Sequence, residues 1–267
     1  MTVYFPLFSD DIKIIMKRYT KKPEEIELIH EGGKLLGDIL RRTAKLVKPG
    51  VSTWELSDFA EKEMKKVGGR PSFIGYGDRH NPFPSGLCTS INDAVVHGIP
   101  SKKDILQEGD IIGLDIGMEY KGLYTDTAIT VPVGNISVKA QKLIDTAKES
   151  LQEAIATVKP GNTIGDLGFV MQSIVEKAGF SMVRDLVGHG VGYAVHEEPN
   201  VPGYGKAGTG IELVEDMVLA IEPMVCEKKY NVIFDPDGWT IRTSDGGLSA
   251  HFEHTIAVTK NGVRVLT

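Results

Sequence analysis

Val47-Lys48-Pro49-Gly50 returns as Val158-Lys159-Pro160-Gly161, and at the same offset of 111 positions Leu56 falls on Leu167 and Gly68 on Gly179. Both phrases have one grammar: a helix, a Lys-Pro-Gly stop, a second helix and a terminating glycine. In the first, apolar residues recur at helical spacing from Ile26 to Leu40 in EEIELIHEGGKLLGDILRRTAKLV, which predicts a helix reaching Lys48-Pro49-Gly50. The next helix is expected from Thr53, as its N-cap, to Gly68-Gly69. The likeness continues into strands, because LQEGDIIGLDIG from Leu106 aligns with LVEDMVLAIEPM from Leu213, an offset of 107 that sets Asp115 on Glu222. Common helix-stop signals can coincide by themselves, but they do not bring a matching strand with them. Two related halves, each with helices followed by strands, predict a pseudo-two-fold α+β domain with a site between the halves.

The acids deepen that expectation. DIIGLDIG and LYTDTAITV are apolar, β-branched runs separated by Glu119-Tyr120-Lys121-Gly122. If Tyr120 and Lys121 form a two-residue turn, Asp115 and Asp126 stand directly opposite each other on one face of the hairpin. Two carboxylates so placed repel and lose hydration, and a pair of divalent cations roughly 3.5 to 4 Å apart would compensate them. The plain alternative is that a shifted register sends one aspartate to solvent. Two more acids argue against it. Glu222 interrupts the apolar run MVLAIEPMV, where Pro223 keeps it extended at a sheet edge or bulge, and Glu253 interrupts AHFEHTIAV between His251 and His254.

Three histidines complete the set: His97 in AVVHGIP, His189 in VGHGVG and His196 in VHEEP. Glycines beside His97 and His189 mark strand ends or loops where backbone approaches a site closely. GHGVG lacks the remaining glycine and lysine of a phosphate-binding loop.

Bulk properties fit a globular enzyme. Of 267 residues, 41% are hydrophobic and 25% charged, and a net charge of -6 argues against a chain built to grip nucleic acid. Cys88 and Cys226 are too few and too far apart for a disulfide framework or a zinc ribbon. The start MTVYFPLFSDDIKIIMKRY lacks the features of a signal peptide, and no apolar run spans a bilayer, so a cytoplasmic protein is expected, with no membrane partner.

CTSINDAVVHGIP, the Asp115 and Asp126 hairpin, GHGVG with HEEP, AIEPM and the FEHT strand together resemble the type I methionine aminopeptidases, whose fold is called pita-bread. The resemblance covers nearly everything after Pro23, so residues 1–22 read as a short extension and 23–267 as one catalytic domain. It implies a metal-dependent hydrolase that removes the initiator methionine from nascent polypeptides when the second residue is small. Two divalent ions are implied, with Asp115 on one, Asp126 and Glu253 bridging both, and His189 and Glu222 completing the other. All-oxygen and imidazole ligation leaves cobalt, manganese, iron and zinc open. By the same resemblance Glu222 relays a proton, His196 binds the scissile carbonyl and His97 the amide nitrogen, while Cys88, Phe83 and Trp239 line the methionine pocket. The loop between Tyr76 and Cys88 is longer than the family leads one to expect, and Val195 stands where an aromatic is frequent; both bear on pocket shape.

Rival readings share the fold. Xaa-Pro peptidases and creatinase-like enzymes usually carry a large N-terminal domain, and type II methionine aminopeptidases an insertion between the histidine motifs and the acid strand; here His196 and Glu222 are close. A non-enzymatic binding protein could dispense with the ligands, yet all five positions hold competent side chains. Emerging chains are the expected partners, a monomer the expected state, and transient ribosome association is compatible with such a role.

Overall fold

In the computed structural model, residues 19–267 are described; of the extension expected over residues 1–22, positions 1–18 lie outside them. Chain order is helix α1 (Pro23–Ala44), α2 (Thr53–Lys66), strand β1 (Arg70–Pro71), β2 (Leu87–Ile91), β3 (Ala94–Val96), β4 (Ile111–Tyr120), β5 (Leu123–Pro132), α3 (Val138–Thr157), α4 (Ile164–Lys177), β6 (Ser181–Met182), β7 (Gly188–Gly190), β8 (Glu197–Val201), β9 (Val218–Ile221), β10 (Met224–Cys226), β11 (Val232–Phe234), β12 (Ile241–Thr243), β13 (Ser249–His251), β14 (Glu253–Thr259) and β15 (Gly262–Val265). The largest sheet runs β1-β4-β5-β14-β9-β7-β8, with β2 on β4 and β15 on β14. Helices α1 and α2 cover its first half and α3 and α4 its second, the mixed architecture of a pita-bread fold.

The repeat is physical. Ser52 caps α2 and Thr163 caps α4, each closing a capping box with an acid three residues on, Glu55 and Asp166. Gly50 donates to Leu106 O as Gly161 donates to Leu213 O, and Ser52 bridges Ile105 as Thr163 bridges Glu212. Thr53 is therefore the first helical residue and Ser52 the cap, because the serine hydroxyl accepts from Glu55 N. Helix α1 stops at Ala44, earlier than its apolar spacing suggests, and Lys45 to Gly50 form the descent to α2.

Strand β4 separates two environments by parity. Ile112, Leu114, Ile116 and Met118 pack with Leu36, Ile39 and Leu56 of the covering helices. Gly113, Asp115 and Gly117 project from the opposite face. Within the large sheet the halves meet at β5 and β14, where the register holds two pairs, Glu253 with Ala128 and His254 with Thr127. Threonines reinforce the seam: Thr127 Oγ1 donates to Glu253 O, Thr130 Oγ1 to His251 O and Thr255 Oγ1 to Asp126 O.

The hairpin turn differs from expectation. Tyr120 pairs with Leu123, so the two turn residues are Lys121 and Gly122, both at positive φ (52° and 83°), as a type I′ turn requires. A glycine in second place suits that backbone, whereas Tyr120 and Lys121 would put an aromatic in first place and a lysine in second. Gly122→Ala is expected to cost about 1 to 2 kcal/mol in urea unfolding, from the left-handed penalty alone. No loss of stability would refute the turn type.

Candidate metal and peptide site

The turn correction moves the aspartates without changing their face. Asp115 pairs with Ala128 and Asp126 with Gly117, so the two acids are diagonal neighbours on one side of the hairpin rather than directly opposite. A glycine opposite Asp126 is required by packing: a Cβ at Gly117 would lie 2.3 Å from Ser72 Oγ and 2.6 Å from the Phe73 ring. Glu222 follows β9 and precedes β10, at the point where the chain leaves the large sheet for the three-stranded sheet β13-β10-β6. It is thus at a strand end inside the fold and not at a sheet edge, because β9 is flanked by both β14 and β7.

These elements converge. Asp115, Asp126 and Glu253 offer ligand atoms within 4.8 Å of one another, and so do His189, Glu222 and Glu253, and Asp126, His189 and His196, the histidines through a ring nitrogen. Asp126 and Glu253 are 3% and 2% exposed, too deep for hydration to stabilise ionised carboxylates. Asp115 Oδ1, Asp126 Oδ1 and Glu253 Oε1 are buried without a hydrogen-bond partner among the described residues. Burial first, then neighbouring acids, pushes Asp126 and Glu253 well above the usual carboxylate range, and burial raises Asp115 to about 6. Glu222 goes the other way: burial opposes its charge, but His251 and His189 more than offset that and hold it below its ordinary value. Its two oxygens lie 3.3 Å from His189 Nε2 and 3.2 Å from His251 Nε2.

Unpaired anionic oxygens packed this closely suit divalent cations, and the donor set of carboxylates plus one imidazole suits first-row metals. His189 is prepared for such a role. Its Nδ1 lies 2.9 Å from Gly190 O, so a proton resides there and Nε2 is turned towards Glu222.

The remaining sequence-predicted residues surround one cavity of about 140 Å³ that also exposes Asp115, Asp126, His189, Glu222 and Glu253. Phe83, Cys88 and Trp239 line it with Phe73, Tyr76, Leu186 and Met224. Phe83 meets Trp239 edge-on at 5.2 Å and Phe73 at 6.4 Å, and Val195 packs into the same cluster. Burial and the nearby Asp115 raise the Cys88 thiol far above its ordinary value, so it is a wall and not a nucleophile. His97 follows β3 at a positive φ of 60°, and burial lowers its pKa to about 4. His196 stands at the rim, lowered by desolvation of its ring and by His189, whose ring centroid is 4.4 Å away. Both imidazoles are neutral near pH 7.

Sequence reasoning passed over three contributors. His251 was legible as a neighbour of Glu253 but not as a partner of Glu222, since that contact depends on β13 lying beside β10. Tyr76, 2.6 Å from His196 through its hydroxyl, gave only the signal of an aromatic in a glycine loop. Lys21 is buried, bonded to Glu197 at 2.9 Å, and Glu197 accepts from Tyr193 N and Ala194 N, which braces the loop presenting His196.

Known proteins resemble this chain along most of its length. The profile described as Metallopeptidase family M24 matches residues 27–260. A methionine aminopeptidase of Clostridium acetobutylicum is 46% identical over 247 residues, covering 92% of this chain and 97% of that protein. The crystal structure of the methionine aminopeptidase from Thermotoga maritima superposes with a TM-score of 0.90 at 43% identity, across 93% of this chain and 98% of that one. The prolidase from Pyrococcus horikoshii OT3 fits less well, with a TM-score of 0.73 at 26% identity, and this chain spans 66% of its length. No described helix is long and apolar enough to cross a membrane. With its halves, its buried acids and its relatives all in agreement, the chain belongs to Metallopeptidase family M24, among the methionine aminopeptidases.

Proposed function

We propose that the protein removes the initiator methionine from nascent polypeptides by a type I mechanism, within a single catalytic domain over residues 23–267. The observation that carries this reading is the junction of an aromatic-lined pocket with three carboxylates that each leave one buried oxygen without a partner among the described residues. An unbranched thioether suits walls made by Phe73, Phe83 and Trp239, since sulfur packs favourably at aromatic edges. Tyr76 and His196 stand at the rim of this pocket, joined by a hydrogen bond.

Asp115, Asp126, His189, Glu222 and Glu253 would hold two divalent ions. Such ions supply the positive charge that brings the pKa of a water towards neutrality and polarises a carbonyl. The protein does the rest. Glu222, held ionised by His189 and His251, takes the proton of the attacking water and delivers it to the departing amine. His196 donates to the carbonyl oxygen as negative charge develops, and neutral His97 contacts the amide nitrogen. Substrate is the N-terminus of an emerging chain, met in the cytoplasm by a monomer that associates transiently with ribosomes.

Cleavage of a Met-Ala-Ser peptide by protein reloaded with manganese, iron, cobalt or zinc tests this reading. No cleavage with any of them would sink it. Preference for proline in second place would transfer the chain to the Xaa-Pro branch, a transfer opposed by its lesser likeness to the prolidase, with a TM-score of 0.73 against 0.90 for the Thermotoga maritima methionine aminopeptidase. His97→Ala is expected to lower kcat on the same peptide by about 10²-fold, the range of a lost positioned proton-handling group. Its metal content should match wild type, and loss of ions in that variant would overturn the placement of His97 on substrate.

A further inference from the structure

His189 and His196 stand edge to face, yet their ring nitrogens meet opposite partners. At His189 the partner of Nδ1 is a backbone carbonyl, which can only accept. At His196 it is the hydroxyl of Tyr76, at 2.6 Å, with the two rings 4.8 Å apart. A phenol donates readily and accepts poorly, and an unprotonated imidazole nitrogen is the stronger base of the two. Among the described residues the Tyr76 hydroxyl has no second acceptor. Proton placement then follows: Nδ1 accepts, and the single proton of the neutral ring resides on Nε2.

The loop that carries Tyr76 is held for this. Tyr76 N donates to Phe73 O, and Phe83 N donates to Tyr76 O, so the segment between Tyr76 and Phe83 is closed at its base. Its far end is tied to the β11–β12 turn, where Trp239 Nε1 donates to Asn81 O and Asn81 Nδ2 to Asp237 O. The loop is therefore braced beyond Tyr76, and the hydroxyl stays in register with His196.

We propose that Tyr76 is a positioning residue that fixes His196 as its Nε2–H tautomer, so that a neutral ring presents a donor, and not a lone pair, at the mouth of the site. The consequence for peptide cleavage rests on the aminopeptidase reading; the tautomer itself does not. With the donor fixed in advance, stabilisation of the carbonyl oxygen costs no proton rearrangement during reaction.

Tyr76→Phe keeps the ring and deletes the hydroxyl. In metal-free protein with 15N-labelled histidine at pH 7.5, long-range proton–nitrogen correlation of wild type should show His196 protonated at Nε2. Tyr76→Phe should show a mixture of tautomers, with an unfolding midpoint close to wild type. On Met-Ala-Ser with manganese, the variant should lose about tenfold in kcat with KM changed less than about twofold, the size expected for one hydrogen bond felt in the transition state. A wild-type spectrum with the proton on Nδ1 overturns the proposal before any variant is made. So does a Tyr76→Phe protein whose tautomer or whose kcat is unchanged. Wild-type protein inert towards the peptide would remove the aminopeptidase reading alone, because the nitrogen shifts decide the tautomer without turnover.

Discussion

Asp126→Asn is expected to lower kcat/KM on Met-Ala-Ser by at least about a thousandfold, or ~4 kcal/mol of transition-state stabilisation. The substitution preserves volume and leaves the backbone bonds between Asp126 and Thr255 untouched, so the fold survives it. What it deletes is one negative charge from the cluster that would hold the cations. The same deletion relieves repulsion against Asp115 and Glu222, so the metal-free variant should unfold at a higher temperature than metal-free wild type. Opposite signs for activity and stability distinguish a site acid from a structural one. An active Asp126→Asn, or one less stable than wild type without metal, would remove Asp126 from the ligand set.

Stripping and restoring metal should reveal the same stored repulsion as a function of pH. Asp115 titrates at about 6 in the folded protein, and Asp126 and Glu253 are raised well above their usual range, chiefly by burial. Unfolded carboxyls titrate near 4. A raised folded value means that the native state binds more protons than the unfolded one. The contribution of these groups to stability is therefore fully present below the unfolded pKa and is lost as pH rises through the folded values. Between pH 5 and pH 8 the metal-free protein should lose thermal stability. A divalent ion at about one hundred times its Kd adds roughly 2.7 kcal/mol, or a rise of roughly 5 to 10 °C for a chain of this size. That rise should be largest at pH 8 and shrink towards pH 5, where protons compete for the same oxygens. Differential scanning calorimetry with and without manganese measures it, and an increment larger at pH 5 would contradict the assignment.

How much of this was written in the residues depends on the distance over which each feature is decided. The halves were legible because caps and stops are local: Ser52 with Glu55, Thr163 with Asp166, and the paired glycines at 50 and 161. The face shared by Asp115 and Asp126 was legible too, since alternation survives a two-residue shift of partner, from Asp126 to Ala128 opposite Asp115. Their direct opposition was not, because the turn obeys the left-handed backbone at Lys121 and Gly122 and not the midpoint of the loop. Glu222 was recognised as an acid out of place, yet its position where the chain changes sheets could not be read from Pro223 alone. His251 beside Glu222, Tyr76 on His196 and Lys21 beneath Glu197 join segments up to 176 positions apart, and no pattern within one segment announces them.

The seam between β5 and β14 has a mechanical meaning. Two register pairs and three threonines join the halves within the large sheet, and Asp126 and Glu253 stand on either side of that line. Any cation gripped by both is a rivet through the joint. The ions that serve the chemistry would then also set the stiffness of the molecule, and chelation would act first as a loosening of the sheet along its thinnest line, before any helix is disturbed.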